Sequence, residues 1–279
     1  MATVGFCDVM TAERDYHDEF YAGRGRMPFN AGSYAFTDED VRRWCGDIWQ
    51  DGAHFRGART KRMLDLLETD RVAGRRVLDL GCGNGQYAVL LAKRGAFACD
   101  ISPIGVGIAR EIATANGVAD RCQFIVADAT DLPWPSGAFD IVVLNAALHH
   151  LLKYPGLKGE ILRVLRPGGR VVVADIVAGN PVFNTLKHIY RSWNPDADYG
   201  EDPDLDEYRE FFAGLEDVRL EPRCLLEGVK RLLPDRTRRS PPCRALLRAA
   251  AVADAALLRR LPGLGRYCLE VTGTARKPG

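Results

Sequence analysis

Two adjacent histidines, His149 and His150, stand a few residues after the apolar run FDIVVLN, and Asp175 closes a second apolar run, GRVVVAD. An imidazole oriented by a carboxylate can take the proton from a poorly nucleophilic hydroxyl, which raises the rate of such reactions by about 10²–10⁴. The same residues have a structural use as well. The pair can open a helix after the strand, one ring packed and the other solvated, with Asp175 capping the following turn. A second group lies in VLDLGCGNGQ, where Gly81, Cys82, Gly83 and Gly85 sit directly after a strand-like run and directly before a helical one. Glycine permits the tight turn there, and it lets a ligand approach the backbone N–H groups at the positive end of the helix that follows.

The spacing discriminates between ligands. A dinucleotide fingerprint wants its third glycine three residues after the second, at position 86, but that position is Gln86 and the glycine arrives early at Gly85, which disfavours NAD.

The elements that must carry these residues read clearly between Arg75 and Val177. The runs RRVLDLGC, AFACDI, CQFIVA, FDIVVLN and GRVVVADIV are rich in Val, Ile, Leu, Phe and Ala without regular polar alternation. Such runs suit strands covered on both faces. Between them, QYAVLLAKRG reads as a helix ending at Gly95, PIGVGIAREIATANG as one that starts with a proline and ends at Gly117, and GLKGEILRVLRPGG as one that stops at Pro167. Strands alternating with helices predict a parallel sheet wound with crossover helices, and ligands of such sheets bind beyond the carboxyl ends of the strands.

Three acidic residues fall at or near such ends: Asp79 in the first run, Asp100 in ACDISP, and Asp128 in FIVADATDLPW. Each also has a local structural reading. Asp79 could brace the glycine loop, Asp100 could cap the helix after Pro103, and Asp128 could initiate the turn ahead of Pro133.

The order of these segments resembles the class I S-adenosylmethionine-dependent methyltransferases of the UbiE-like type. Asp79-x-Gly81-x-Gly83-x-Gly85 is similar to the family's first motif, ACDISP to the second, and FDIVVLNAALHHL and LRPGGRVVVADI to the fourth and fifth strand segments. The resemblance implies an α/β fold: a doubly wound, Rossmann-like sheet, mostly parallel with an antiparallel last strand, plus helical cap insertions. It extends more loosely through FFAGLEDVRLEP and RYCLEVTGTARKP as the sixth and seventh strands.

The implied cofactor is S-adenosyl-L-methionine, leaving as S-adenosyl-L-homocysteine, with no metal expected. Its implied contacts are Asp79, Gly81, Cys82, Gly83, Asp100 for the ribose hydroxyls, Ile101, Asp128 for the adenine amino group, Ala129, and Asn145 near the methionine part. The His149–His150 pair with Asp175 is similar to an arrangement in bacterial O-methyltransferases acting on sugars and other hydroxyls of secondary metabolites. The resemblance therefore implies methyl transfer to a small-molecule hydroxyl. Methylation of an amine and cofactor binding without transfer are the alternatives.

Acceptor specificity in such enzymes resides in what surrounds the core. Residues 1–74 are expected to form a helical cap, with ERDYHDEFYAG supplying Tyr16, His17 and Tyr21 as lid residues, and with a helix after Thr37 carrying Val41, Trp44, Cys45 and Ile48. The resemblance implies that residues 75–279 form the methyltransferase domain, with insertions near 178–205 and 222–265. His188, Tyr190 and Trp193 in the first insertion are substrate-wall candidates. The structural alternative there packs Phe183, Leu186, Ile189 and Tyr190 inward. The second insertion carries CRALLRAAAVADAALLRRLPG, expected to be a helix with Leu246, Leu247, Ala250 and Leu257 along one side, serving as a cover, a dimer contact or an accessory-partner surface.

Composition narrows the remaining classes. The chain has 279 residues, 47% hydrophobic and 27% charged, with a net charge of +1. That balance argues against phosphate-backbone binding across the surface, and no base-stacking aromatic motif accompanies the basic C-terminal stretch, so nucleic acid is not expected as a partner. Ten acidic residues against the single Arg209 in 196–217, followed by fourteen basic against five acidic in 219–279, read as solvated faces. The eight cysteines form no Cys-x-x-Cys pair and read as reduced thiols, which with the absence of a long apolar segment gives the expectation of a cytoplasmic protein without membrane insertion.

Overall fold

The computed structural model describes residues 6–24, 57–67, 74–92, 96–193, 202–233, 235–238 and 240–279. The helix expected after Thr37, with Trp44, lies outside them. Seven strands form one sheet: β1 (Val77–Leu80), β2 (Ala96–Asp100), β3 (Cys122–Val126), β4 (Phe139–Asn145), β5 (Leu165–Ile176), β6 (Glu216–Arg223) and β7 (Glu270–Arg276). Their order is β3-β2-β1-β4-β5-β7-β6. Neighbours from β3 to β5 pair in parallel, and β7 runs antiparallel to both β5 and β6. The chain thus leaves β1 toward β2 on one side and returns beside it as β4, which makes β1/β4 the switch point of the sheet.

Alternation along each central strand feeds two cores. Leu78, Leu80, Val142, Leu144, Val171 and Val173 face one layer. Val77, Ile141, Val143, Val172 and Ala174 face the other. The first layer is covered by α6 (Leu157–Val164) and α8 (Leu205–Phe212), through Ile161, Tyr208 and Phe212. The second is covered by α2 (Gly57–Leu67), α3 (Gln86–Ala92) and α4 (Pro103–Ala115). Met63, Leu66 and Leu67 of α2 are buried in that layer, so this part of the stretch 1–74 belongs to the sheet's own core, while α1 (Phe6–Arg24) lies against α4. The remaining helices are α5 (Leu148–Leu151), α7 (Pro181–Trp193), α9 (Asp235–Arg238) and α10 (Pro241–Arg260).

Local chemistry sets the boundaries. Ser102, rather than Asp100, caps α4, its hydroxyl accepting from the Gly105 N–H at 3.0 Å with Pro103 in the first turn. The helix expected to stop at Pro167 ends earlier, at Val164, because Leu165 is already extended and pairs with Phe139, and a residue before proline avoids helical angles. The acidic run contains a capping box at the start of α8. Asp204 accepts from the Asp206 and Glu207 N–H groups, and Glu207 accepts from the Asp204 N–H.

The late insertion differs from expectation in its packing. Leu247 is buried but Leu246 is 67% exposed, since adjacent helical residues point about 100° apart. Asp254, which in sequence only interrupts an apolar run, is buried and accepts the N–H groups of Leu225, Leu226 and Glu227 at 3.0, 2.7 and 3.1 Å. These are the opening donors of a 3₁₀ turn, Glu227–Leu232. One carboxylate thereby ties α10 to the chain leaving β6.

Asp254→Ala leaves three donors without their acceptor, at about 1 kcal/mol or more each. The melting temperature is expected to fall by about 6 °C or more. Scanning calorimetry checks this, and an unchanged transition contradicts the anchoring role.

Candidate active site

The chain leaves β1 through a loop pinned to β2. The Gly81 and Cys82 N–H groups both donate to the Cys99 carbonyl, at 3.0 and 2.9 Å, and the Gly83 N–H donates to Asp100 Oδ2 at 2.7 Å. Gly81 and Gly83 have φ of +73° and +56°, a region that L side chains rarely adopt. A Cβ on Gly81 would also sit 2.7 Å from Ala147 Cβ, and one on Gly83 would collide with the Tyr21 hydroxyl. The glycines therefore hold an open turn at the carboxyl edge of the sheet, with α3 beginning at Gln86.

A cleft enclosing about 600 Å³, its open mouth included, lies over this edge. Of the residues singled out in the sequence, it brings together Gly81, Asp100, Ile101, Ala129, His17, Tyr21 and His150. Sequence reading missed Glu13, Cys99, Ala127, Ala146, Ala147 and Tyr154 on the same walls. Ala146 takes a positive φ of 54° and donates to the Ala174 carbonyl, turning the chain out of β4. Small residues directly after an apolar strand were the available signal.

Asp100 is 8% exposed, and its Oδ1 accepts the Ser102 N–H at 2.9 Å. A carboxylate has about four acceptor positions, so each oxygen can accept a further hydrogen bond from a ligand hydroxyl. Asp79 Oδ2 and Asn145 Oδ1 are buried and lack hydrogen-bond partners, at the carboxyl halves of β1 and β4. Buried polar atoms rarely stay unsatisfied, and these two fit a polar ligand seated beside the glycine loop. Burial pushes the Asp79 carboxyl up to about 7, the Asp100 charge adds to this, and the Ala88 N–H opposes it. Asp128 closes a local turn, its Oδ1 accepting both the N–H and the hydroxyl of Thr130 at 2.7 Å, and Ala127 and Ala129 beside it face the cleft.

The two histidines are held differently. His149 donates its backbone N–H to Asp175 Oδ2 at 3.0 Å, and its Nδ1 lies 2.6 Å from Asp175 Oδ1. Asp175 is fully buried and also accepts the Ile176 N–H. Burial alone would raise its carboxyl, but His149, Arg59 and the Ile176 N–H outweigh that and hold it below the ordinary value. His150 faces the cleft, its Nδ1 3.1 Å from Glu13 Oε1 on α1. Burial pushes this imidazole below its ordinary value against the opposing pull of Glu13.

Glu13 also meets His17 Nε2 at 3.3 Å, Lys153 Nζ at 2.7 Å and the Tyr154 hydroxyl at 3.2 Å. Burial would raise its carboxyl, yet His150, His17 and Lys153 together hold it far below the usual range. The ligand atoms of Glu13, His17 and His150 lie within 4.8 Å of one another, a spacing a metal ion can use, but the Lys153 ammonium already supplies countercharge there.

The outer candidates are less involved. Tyr16 is 38% exposed and meets His17 edge-on, turned from the cleft that Tyr21 covers. His188 is exposed on α7, away from the cleft walls. Leu186 and Ile189, the inward residues of the packing alternative for this helix, are exposed too. The side chains of Tyr190 and Trp193 lie outside the described residues.

The comparisons with known proteins bear on this arrangement directly. A family model described as a methyltransferase domain matches residues 72–212, half of the chain. The chain belongs to the class I S-adenosylmethionine-dependent methyltransferases. Within that family it is 36% identical over 156 residues to 27-O-demethylrifamycin SV methyltransferase of Amycolatopsis mediterranei, covering 51% of this chain and 56% of that one. It is 33% identical over 124 residues to ajmaline N-methyltransferase of Rauvolfia serpentina, covering 43% and 38%. The chain thus spans about half the length of the curated relatives it matches.

The Haemonchus contortus phosphoethanolamine N-methyltransferase 2, solved with phosphomonomethylethanolamine and S-adenosylhomocysteine, has the same fold. Its TM-score is 0.58 at 20% identity, covering 86% of this chain and 57% of that one. The seven-stranded order with one antiparallel strand is the Rossmann-like methyltransferase sheet. Cys82, Cys99, Cys122, Cys224, Cys243 and Cys268 are free thiols, and among the described residues no helix is long and apolar enough to cross a membrane.

Two outcomes are expected from the cofactor side of the cleft. Asp100→Ala removes the acceptor of the Gly83 and Ser102 N–H groups. Losing this loop anchor at the cleft should weaken S-adenosylhomocysteine binding on the order of 100-fold by calorimetry; unchanged affinity in a folded variant contradicts a binding role for Asp100. Asp79 is raised in the fold, so its contribution to stability is full below the unfolded value and is lost as pH rises through about 7. Cofactor-free protein should therefore lose thermal stability from pH 5 to pH 8, and Asp79→Asn should flatten that slope; parallel slopes contradict it.

Proposed function

We propose that this protein transfers the methyl group of S-adenosylmethionine to a hydroxyl of a small molecule, of the secondary-metabolite class, with His150 receiving the hydroxyl proton. The observation that carries this reading is the position of His150. Its imidazole lines the cleft that Gly81, Asp100 and Ala129 also line, and it is pushed toward the neutral, proton-accepting form by burial. The cofactor would rest on the glycine loop and Asp100, with Ile101 and Ala129 alongside and Asp79 and Asn145 offering unsatisfied oxygens. When bound it supplies an electrophilic methyl group on a sulfonium.

The chain's part is then orientation and proton transfer. His150 would take the hydroxyl proton as the acceptor oxygen gains the methyl group and S-adenosylhomocysteine is left. His149 and Asp175 hold the turn that presents His150, since both the backbone and the ring of His149 bond to that carboxylate. The rifamycin relative, whose name gives an O-demethyl compound as the acceptor, supports a hydroxyl acceptor. The ajmaline relative supports an amine as the second reading.

Incubation with trideuteromethyl-labelled cofactor and bacterial metabolite extracts, read by fragmentation mass spectrometry, identifies which heteroatom gains the label. The expected product carries it on oxygen; a label found on nitrogen or carbon alone overturns the hydroxyl reading. With that acceptor, His150→Ala should lower kcat by about 10²-fold or more with S-adenosylhomocysteine affinity retained. Full turnover by the variant removes His150 from proton transfer.

A further inference from the structure

The two imidazole–carboxylate pairs beside the cleft differ in what assembles them. His149 lies on α5 and Asp175 on β5, both within the sheet domain, and the carboxylate of that pair is fully buried. His150 finds its carboxylate on a different element, α1, and Glu13 is only 11% exposed in that contact.

Helix α1 lies across the cleft with an attachment on each side. On the β2 side, Asp18 accepts from the Ser102 hydroxyl at 2.5 Å and from the Ile104 N–H at 3.3 Å, while the Tyr21 ring covers Gly105 and its hydroxyl covers Gly83. On the β4 side, Glu13 takes Lys153 and Tyr154 through Oε2 and the two imidazoles through Oε1. A ligand held by the glycine loop lies beneath this helix, so α1 must be in place for the cleft to be closed. Glu13 can reach His150 only from that position.

We propose that Glu13 is the positioning residue of His150, so that closure of α1 over the cofactor cleft is the event that completes the proton acceptor. Resting on the hydroxyl-transfer reading above, this gives Glu13 two tasks. Its Oε2 latches the helix through Lys153 and Tyr154. Its Oε1 accepts the Nδ1 hydrogen of His150, which fixes the tautomer and leaves the Nε2 lone pair to take the acceptor's proton. The groups facing His150 are Glu13 and His17 from α1 and His149 from its own helix, with Lys153 and Tyr154 reaching it through Glu13. Glu13 is the anion among them that contacts its ring. An enzyme with α1 open would hold the cofactor beside an imidazole of undirected tautomer, which restrains proton transfer until the cleft is shut.

The test uses the full chain saturated with S-adenosylhomocysteine and selectively ¹⁵N-labelled histidine, observed by NMR across pH 5–9, with the His150 signal assigned from its loss in His150→Gln. In the wild type, His150 should appear as the Nδ1–H tautomer. In Glu13→Gln it should shift toward Nε2–H, with its titration midpoint lowered by about one pH unit. Glu13→Asp, which keeps the charge one methylene back, should fall between, and Lys153→Met, which removes a latch partner alone, should keep the wild-type tautomer. An unchanged tautomer and midpoint in Glu13→Gln overturns the proposal whatever the acceptor is.

The activity arm separates this claim from the one it rests on. With the hydroxyl acceptor found in the extract, Glu13→Gln should lower kcat at least 10-fold and move the acid limb of its pH profile downward. If His150→Ala is inactive while Glu13→Gln turns over normally, the positioning role is overturned and the hydroxyl reading stands. A shift of the His150 signal on adding equimolar Zn²⁺, abolished by Glu13→Gln, assigns the cluster to metal binding and also overturns the proposal.

Discussion

The site rests on a single carbonyl. Cys99 of β2 accepts the N–H groups of both Gly81 and Cys82, so the chain turns at the edge of the sheet as soon as it leaves β1. That turn brings Gly83 to Asp100 and sets the start of α3, with Gly81 and Gly83 leaving room for Ala147 and Tyr21 to pack against the loop. Tyr21 of α1 then fits over Gly83 and Gly105, a fit that any side chain at either position would disturb. Parallel pairing of β1 between β2 and β4 places this turn at the switch point, with residues from β2 and from the β4 exit on opposite walls.

Electrostatics at the cleft follows from where carboxylates are buried and what meets them. Asp79 is buried without a cation and is driven toward its neutral form. Asp175 is as deeply buried but has His149, Arg59 and a backbone N–H, and stays ionised. Glu13 gathers two imidazoles and an ammonium, which overcomes the cost of its burial. A carboxyl buried without countercharge thus lies beside the glycine loop, and carboxylates with countercharge order the imidazoles.

Most of the sheet domain was legible because its signals are local. Apolar runs of strand length, proline and glycine punctuation and the glycine loop each depend on residues within a few positions of one another, and β1 to β5 appear where those runs lie. The histidine pair and Asp175 were legible as types, but not which ring faces the cleft, because that depends on contacts made after folding. Glu13 meets Lys153 and Tyr154 across 140 and 141 positions of sequence, a relation no spacing can reveal. Asp254 looked like a flaw in an apolar helix, since its three donors lie 27 to 29 residues away. The stop expected at Pro167 failed for a different reason: pairing of Leu165 with Phe139 ends the helix before the proline can.

The central claim is that a cofactor of the S-adenosyl type binds between the pinned loop and α1. Amide hydrogen exchange read by mass spectrometry, with and without saturating S-adenosylhomocysteine, addresses both surfaces at once. The expected result is added protection in the segment around Gly81–Gln86, in the segment around Asp100–Gly105, and along Phe6–Arg24, with the far edge at β6 unchanged. Exchange that stays the same in the loop and in α1 would contradict the account.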